Sequence, residues 1–501
     1  MNKYTLWDLV NDAAESERSA SKVLDYTPER RLERTFREVR DEVLPIAARM
    51  RQEFGRRRHI AIIGSTSYEW LLAFFAIAAS DHVSVPLDKR YKAEQLTELL
   101  HDSDTEIIIY DRRAESAVSE VRAKTGEKYR YLALDETAAG DPLLTEFTAD
   151  PTGFTPDPEE ESLASLFMTS ATTGKTKMVM LSHRNLASLA AYYGVTNEGG
   201  FSMKDTYLLS LPLTHTYGTV TMLACFVCGM QLALNHNPAK MLDDFRLYQA
   251  TFLITIPMVQ EFLMKKMEML RAKGMPPEKV KELVFGAPVR GISCGGAEVK
   301  QEVGLKYSDY GFVSWAGYGL TELASIVSIN YDLRKHPYSV GKVLGLLEAK
   351  IEDGELLLKG PSVMMGYYKN EEETKAVLRD GWLYTGDLAE IDKDGYLFMT
   401  GRKKNLIILS NGENISPEHI EELILSDGTI EEAVVYGADD RLCAAVRMQN
   451  KTDGPEQANA VIRAVNAKLP EYSKITRVTV WTEEFPKNAL GKIIRSEIKP
   501  A

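Results

Sequence analysis

Thr169-Ser170-Ala171-Thr172-Thr173-Gly174-Lys175-Thr176-Lys177 follows the apolar run Leu163–Met168 and precedes a helical pattern that starts near Ser182. Hydroxyls, small residues and two lysines between a strand and a helix suit a polyphosphate. Backbone N–H groups form an anion nest, hydroxyls donate, and ammonium groups neutralise charge. The ending Gly174-Lys175-Thr176 mimics a Walker A loop, but that pattern needs glycine five residues before Gly174, where Thr169 stands. The stretch is therefore read as a phosphate loop of another kind, set in α/β surroundings.

The flanking sequence agrees with that setting. His59 to Gly64, Val83 to Leu87, Glu106 to Tyr110, Thr206 to Leu211, Thr251 to Ile256 and Val289 to Cys294 read as short buried strands between helical patterns. Strand–helix alternation implies parallel sheets with helices on both faces and ligands at the carboxyl ends of strands. From about Val340 the texture turns to hairpins, with Asp353-Gly354 and Asp394-Gly395 each between β-rich runs. A compact α+β segment follows Gly401, with Ser416 and Pro417 opening a helix.

Composition narrows the function. The 501 residues carry 60 Lys plus Arg against 72 Asp plus Glu, a formal charge of −12, which argues against a dedicated nucleic-acid binder. Four cysteines (Cys225, Cys228, Cys294, Cys443) are too few for a disulfide scaffold and suit a reducing compartment. Cys225 and Cys228 stand in an apolar run and read as packed core rather than as metal ligands. Leu71 to Ala79 is the most apolar stretch, short of the roughly 20 residues a membrane span needs. A cytoplasmic protein without a membrane span is the expectation.

Four further motifs stand in order behind the phosphate loop: Tyr318-Gly319-Leu320-Thr321-Glu322, Tyr384-Thr385-Gly386-Asp387, Gly401-Arg402-Lys403-Lys404, and Pro486-Lys487-Asn488-Ala489-Leu490-Gly491-Lys492. With them the chain resembles the adenylate-forming superfamily of acyl-CoA synthetases, adenylation domains and luciferases, from about residue 60 to 495. The resemblance implies an α/β fold: a large N-terminal domain (1–401) of parallel αβαβα sheets with a β-barrel-like subdomain (about 337–401), and a small mobile α+β C-terminal domain (402–501) hinged at Lys404. It also implies ATP, Mg²⁺ and a thiol acceptor, either CoA or the phosphopantetheine arm of a carrier protein.

Residue roles follow the same resemblance. Thr169, Ser170, Thr172, Thr173, Gly174, Lys175 and Lys177 would hold the β- and γ-phosphates, Thr321 the α-phosphate, and Glu322 the Mg²⁺ ion. Gly295, Gly296, Ala297 and Glu298 would approach adenine, with Tyr318 and Gly319 on the other side of the ring. Asp387 would accept the ribose hydroxyls and Arg402 complete the contacts. Lys492 would reach the α-phosphate and the substrate carboxylate, then withdraw as the C-terminal domain turns and the stretch near Gly412 lines a thiol tunnel gated by His215. His183 is read as a capping or packing residue. Ala171, Thr176 and Met178 depart from the family's usual Gly, Pro and Gly.

The acid is read from what is missing. No Asp or Glu lies between Tyr207 and Leu234, so a substrate ammonium would go unpaired there, and an ordinary α-amino acid is disfavoured. The apolar run after His215 suits a fatty or aryl acid. The expected activity is ATP-dependent formation of an acyl-adenylate, then transfer to CoA. The alternatives are a stand-alone enzyme that loads a carrier protein and a low-turnover adenylate-binding protein. A homodimer is compatible with either enzyme.

Overall fold

The computed structural model describes residues 4–169, 176–255, 257–286, 288–294, 301–408, 414–438, 441–450, 454–487 and 493–498. By backbone packing the chain divides into two compact units: residues 1–337, 344–348 and 359–381 form the first, and 338–343, 349–358 and 382–501 the second. The strands between 338 and 401 thus fall mostly in the second unit.

The first unit begins with β1 (Lys22–Tyr26) and β2 (Arg31–Thr35), and continues with β3 (His59–Ile63), β4 (Val83–Leu87), β5 (Thr105–Tyr110), β6 (Arg130–Ala133), β7 (Leu163–Thr169) and β8 (Lys177–Ser182). One sheet has the order β8-β7-β4-β3-β5-β6, with the short strand Gly366–Tyr367 on the outer side of β8. β7, β4, β3, β5 and β6 run parallel, while β8 returns antiparallel to β7. The order reverses at β3, which makes the crevice at its carboxyl end a topological switch point. Its strands are buried on both faces, with Ala61, Ile63, Val85, Leu87, Ile108 and Leu166 in one core.

A second run comprises β9 (Thr206–Leu209), β10 (Gln231–Leu234), β11 (Phe252–Thr255), β12 (Gly291–Cys294), β13 (Val313–Leu320) and β14 (Ser325–Asn330). Its order is β14-β13-β12-β11-β9-β10-β1-β2, so the N-terminal hairpin closes the far edge. β10 to β13 are joined by parallel pairing through β9 and β11, and β14 folds back antiparallel on β13. The helix Thr216–Cys228 packs against β9, β10 and β14 and is buried on nearly all sides.

In the second unit, Asp353 and Gly354 both take positive φ (51° and 77°), the left-handed pair that a tight hairpin between Glu348–Glu352 and Glu355–Lys359 demands. Trp382–Ile391 and Tyr396–Arg402 form a second antiparallel pair around Asp394-Gly395. The C-terminal α+β part stacks Pro417–Leu425 and Pro455–Asn466 on strands Ile430–Ala438, Arg441–Met448 and Ile475–Trp481, with Ile420, Val435, Ala444 and Ile462 in its core. Pro417 takes the first helical position behind Ser416, as the sequence suggests.

Candidate active site

Of the phosphate stretch, Thr169 closes β7 and pairs with Lys177, the first residue of the antiparallel strand β8. The helix expected near Ser182 begins at His183, with Ser182 as its N-cap; ahead of it Lys177–Ser182 forms a strand that the sequence reading did not mark. Met178, Val179 and Leu181 are buried in its pairing with β7. Lys177 Nζ is ion-paired with Glu373 and lies 4.8 Å from the Tyr367 ring centroid.

Tyr367 links that lysine to the acid of the second motif. Its hydroxyl donates to Glu322 Oε1 at 2.9 Å, and Met364 N–H donates to the Glu322 carbonyl at 2.9 Å. Glu322 Oε2 accepts no hydrogen bond among the described residues. Glu322 sits in a single 3₁₀ turn, Thr321–Leu323, between β13 and β14, ended by Ala324 at φ 60°. The turn is possible because Gly319 has no side chain: a Cβ there would lie 1.9 Å from the Ser325 carbonyl oxygen. Tyr318 and Gly319 straddle the β-bulge that delivers Thr321 and Glu322 beyond the sheet's end.

His215 stands immediately before the helix Thr216–Cys228, as its N-cap residue. Gly218 lets the first turn lie against the preceding loop, since a Cβ there would be 2.4 Å from the Pro212 carbonyl oxygen. The His215 ring is mostly buried, its Nε2 has no hydrogen-bond partner among the described residues, and burial lowers its pKa despite the nearby Asp88 carboxylate. Asp88 is held by Arg90, and Lys89 between them reaches into the β3 crevice. There Lys89 Nζ donates to Ser65 Oγ at 2.7 Å and Arg113 Nη1 to the same oxygen at 3.3 Å. Burial and the charge of Arg113 lower the pKa of Lys89.

His183 is buried in the first helical turn, and its Nδ1 accepts Leu6 N–H at 3.4 Å, in keeping with a packing role. Burial lowers its pKa to about 3. Cys225 and Cys228 lie on the buried Thr216–Cys228 helix, where burial raises both thiol pKa values, that of Cys228 to about 11. Among the described residues no three His, Cys, Asp or Glu side chains form a metal-holding group.

In the second unit Asp387 and Arg402 face each other across two antiparallel strands, with Arg402 Nε donating to a buried Asp387 carboxylate. Gly386, at φ 71°, turns the chain so that its N–H donates to Glu355 Oε1 at 2.8 Å, while Lys403 Nζ meets Glu355 Oε2 at 2.9 Å. Lys404 is exposed in the 3₁₀ turn Lys403–Asn405. Near the C-terminus Lys487 and Ile493 form an antiparallel bridge, and Arg495 Nη1 donates to the buried Glu421 carboxylate at 2.7 Å. Lys487 is ion-paired with Glu432 at 2.6 Å.

Ser170, Thr172, Thr173, Gly174, Lys175, Gly295, Gly296, Ala297, Glu298, Gly412 and Lys492 lie outside the described residues. Thr169, Lys177, His215, Tyr318, Gly319, Thr321 and Glu322 belong to the first unit, and Asp387, Arg402 and Lys404 to the second. Sequence reasoning missed Tyr367 and Glu373, which nothing local distinguishes. It also missed Lys89 and Arg113, although two cations just after the ends of β4 and β5 were a usable signal.

The first unit also holds a narrow aromatic cleft of about 40 Å³. Tyr193, Tyr207, Tyr217, Ala224, Trp315 and Tyr331 are among its walls.

A family model described as AMP-binding enzyme matches residues 12–368, and one described as AMP-binding enzyme C-terminal domain matches residues 404–500. The chain belongs to the AMP-binding enzyme family. It is thus a member of the adenylate-forming superfamily and an AMP-forming acid–thiol ligase. A long-chain-fatty-acid–CoA ligase of Salmonella typhimurium is 28% identical over 93% of this chain and 89% of its own length. A 2-succinylbenzoate–CoA ligase of Bacillus cereus is 26% identical over 93% of each. The O-succinylbenzoate coenzyme A synthetase of Bacillus subtilis, solved with ATP and magnesium ion, shares the fold at a TM-score of 0.81, with 24% identity over the whole of both chains. Among the described residues no helix is long and apolar enough to cross a membrane.

Proposed function

We propose that this AMP-binding enzyme activates an apolar carboxylic acid, fatty or aryl, and transfers the acyl group to CoA. In the first step a carboxylate oxygen attacks the α-phosphorus of ATP and the bond to pyrophosphate breaks. In the second the thiol sulfur attacks the acyl carbonyl and AMP leaves, the thiol giving up its proton. The observation that carries the reading is Glu322: a carboxylate held from one side by Tyr367, its other oxygen without a hydrogen bond among the described residues, just past the end of β13.

The donor set fits a magnesium site, since Mg²⁺ takes one or two carboxylates and fills its shell with phosphate oxygens and water. Glu322 would hold the ion, which when bound neutralises charge on the phosphates. Thr321 positions the α-phosphate, and Thr169 and Lys177 stand at the two ends of the 170–175 stretch proposed to hold the outer phosphates. Asp387 accepts the ribose hydroxyls, a task for which a buried carboxylate already oriented by Arg402 needs little rearrangement. His215, kept neutral by burial, borders the thiol's path without repelling a cation or attracting a water-bound proton.

CoA is favoured as acceptor by the crevice that holds Lys89 and Arg113. Two cations share one serine hydroxyl there, neither in an ion pair among the described residues, and such a pair suits the phosphates of a nucleotide thiol. Long-chain-fatty-acid and 2-succinylbenzoate ligases among the relatives also take CoA by their names. Alternation between two poses, with residues 402–501 turning about Lys404, lets Lys492 serve the first step and vacate the site for the thiol. The match of the C-terminal family model from residue 404 supports that pivot. Pyrophosphate exchange over a panel of acids, followed by incubation with free CoA or with holo-carrier protein, tests the reading. Acid-dependent exchange and acylation of CoA are expected; exchange with no acid would overturn it.

A further inference from the structure

Glu322 owes its orientation to a residue 45 positions further along the chain. Its own 3₁₀ turn spans three residues, too little to fix a glutamate that rotates about several side-chain bonds. Residues 361–368 supply what the turn does not. Asn185 Nδ2 donates to the carbonyls of Pro361 and Val363, each at 2.8 Å. Met365 N–H donates to the Met180 carbonyl at 2.9 Å and Tyr368 N–H to the Met178 carbonyl at 2.8 Å. Between them Gly366 and Tyr367 pair with Met180 and Val179 of β8. Met364 N–H, from the same segment, donates to the Glu322 carbonyl at 2.9 Å. The segment thus joins β8 to the acid's own peptide group, and Tyr367 has its backbone on β8 and its hydroxyl on Glu322.

Tyr367 is only 6% exposed, so packing sets its course, and its N–H is tied to Thr374 Oγ1 at 2.8 Å. Its hydroxyl must be the donor to Glu322 Oε1 at 2.9 Å, because a carboxylate only accepts. Over the ring, Lys177 Nζ lies 4.8 Å from the centroid, and Glu373 offsets its charge in an ion pair. One side chain therefore touches both the last lysine of the phosphate stretch and one oxygen of the acid. A neutral phenol orients that acid without adding positive charge beside it, whereas a lysine or arginine in its place would repel an arriving cation.

We infer that Tyr367 is a positioning residue for the metal: its hydroxyl holds Oε1 of Glu322 so that Oε2 is left for the ion. The inference rests on Glu322 as the magnesium carboxylate and names the residue that tunes it. Removing the group that hydrogen-bonds a metal-binding side chain typically costs about 10–100-fold in metal affinity or activity.

The test is Mn²⁺ binding, read by electron paramagnetic resonance in the presence of α,β-methylene-ATP; Mn²⁺ stands in for Mg²⁺ because both favour oxygen ligands in octahedral array. Tyr367→Phe keeps the ring and its contact with Lys177 and deletes only the donor. It is expected to weaken Mn²⁺ binding by about 10–100-fold, while nucleotide binding in EDTA and thioester formation from synthetic acyl-adenylate stay within about twofold of wild type. The Mg²⁺ concentration that half-saturates pyrophosphate exchange should rise by the same factor. Tyr368→Phe is the control: it removes a hydroxyl of the same segment that donates to Asp104 Oδ2 at 2.7 Å, and should leave Mn²⁺ binding as in the wild type. Unchanged Mn²⁺ affinity in Tyr367→Phe, or an equal loss in both variants, would overturn the inference. Glu322→Gln separates that outcome from a failure of the reading beneath it. If Glu322→Gln loses the metal and Tyr367→Phe keeps it, only the inference fails; if Glu322→Gln binds Mn²⁺ like the wild type, the assignment of the metal to Glu322 falls and the inference with it.

Discussion

Replacing Gly319 by alanine tests whether the turn that carries Thr321 and Glu322 is shaped as described. The new Cβ would stand 1.9 Å from the Ser325 carbonyl oxygen and 2.7 Å from its carbonyl carbon. Ordinary van der Waals contact begins near 3.4 Å, so the backbone of β14 must recede by about 1.5 Å. No rotamer relieves a clash between Cβ and backbone. Overpacking of this kind costs about 1–3 kcal/mol, and a misplacement of about 1 Å at a reacting group costs about 100-fold in rate. Gly317→Ala, with its nearest backbone oxygen at 3.0 Å, should be intermediate, and Gly345→Ala, whose nearest atom is 3.5 Å away, should be silent. Thermal melts and pyrophosphate exchange across the three variants give the order. A Gly319→Ala enzyme that melts and exchanges like the wild type would refute the account of the turn.

Lys492→Ala should abolish adenylation while leaving thioester formation from synthetic acyl-adenylate largely intact; equal loss of both half-reactions would contradict the two-pose proposal. Asp387→Ala should raise KM for ATP by about 10–100-fold, since hydrogen bonds to a charged group are worth about 1.5–3 kcal/mol each, and unchanged ATP affinity by calorimetry would remove its ribose role. His183 gives the fold a pH signature. Its folded pKa lies near 3, below the ordinary 6.5, because of burial, so in acid the unfolded chain takes up a proton that the folded one refuses. Stability should therefore fall as pH drops below about 6.5, by about 1.4 kcal/mol per pH unit from this group. Urea titrations from pH 7 to 4 should show a shallower decline for His183→Asn, and identical slopes would rule the assignment out.

What could be read from the sequence was what local chemistry encodes. Asp353-Gly354 announced a hairpin because only certain residues accept the left-handed pair, and Ser416-Pro417 announced a helix start. β8 was missed because Lys177–Ser182 becomes a strand only through its pairing with Leu163–Thr169, and the β1–β2 hairpin because β1 joins β10 some 200 residues away. At the site, Glu322, Asp387 and Arg402 were legible from residue type within short motifs. Tyr367 was not: its value lies in reaching Glu322 across 45 residues of chain, a relation no window of sequence contains.

The chain passes between its two compact units five times, at about residues 338, 344, 349, 359 and 382. Laces of that kind cannot be undone by one cut: a nick anywhere in 338–381 leaves both bodies interwoven, and no simple N-terminal or C-terminal fragment corresponds to either. The proposed pivot at Lys404 lies beyond the last of these crossings, so the turning proposed for residues 402–501 would leave all five untouched.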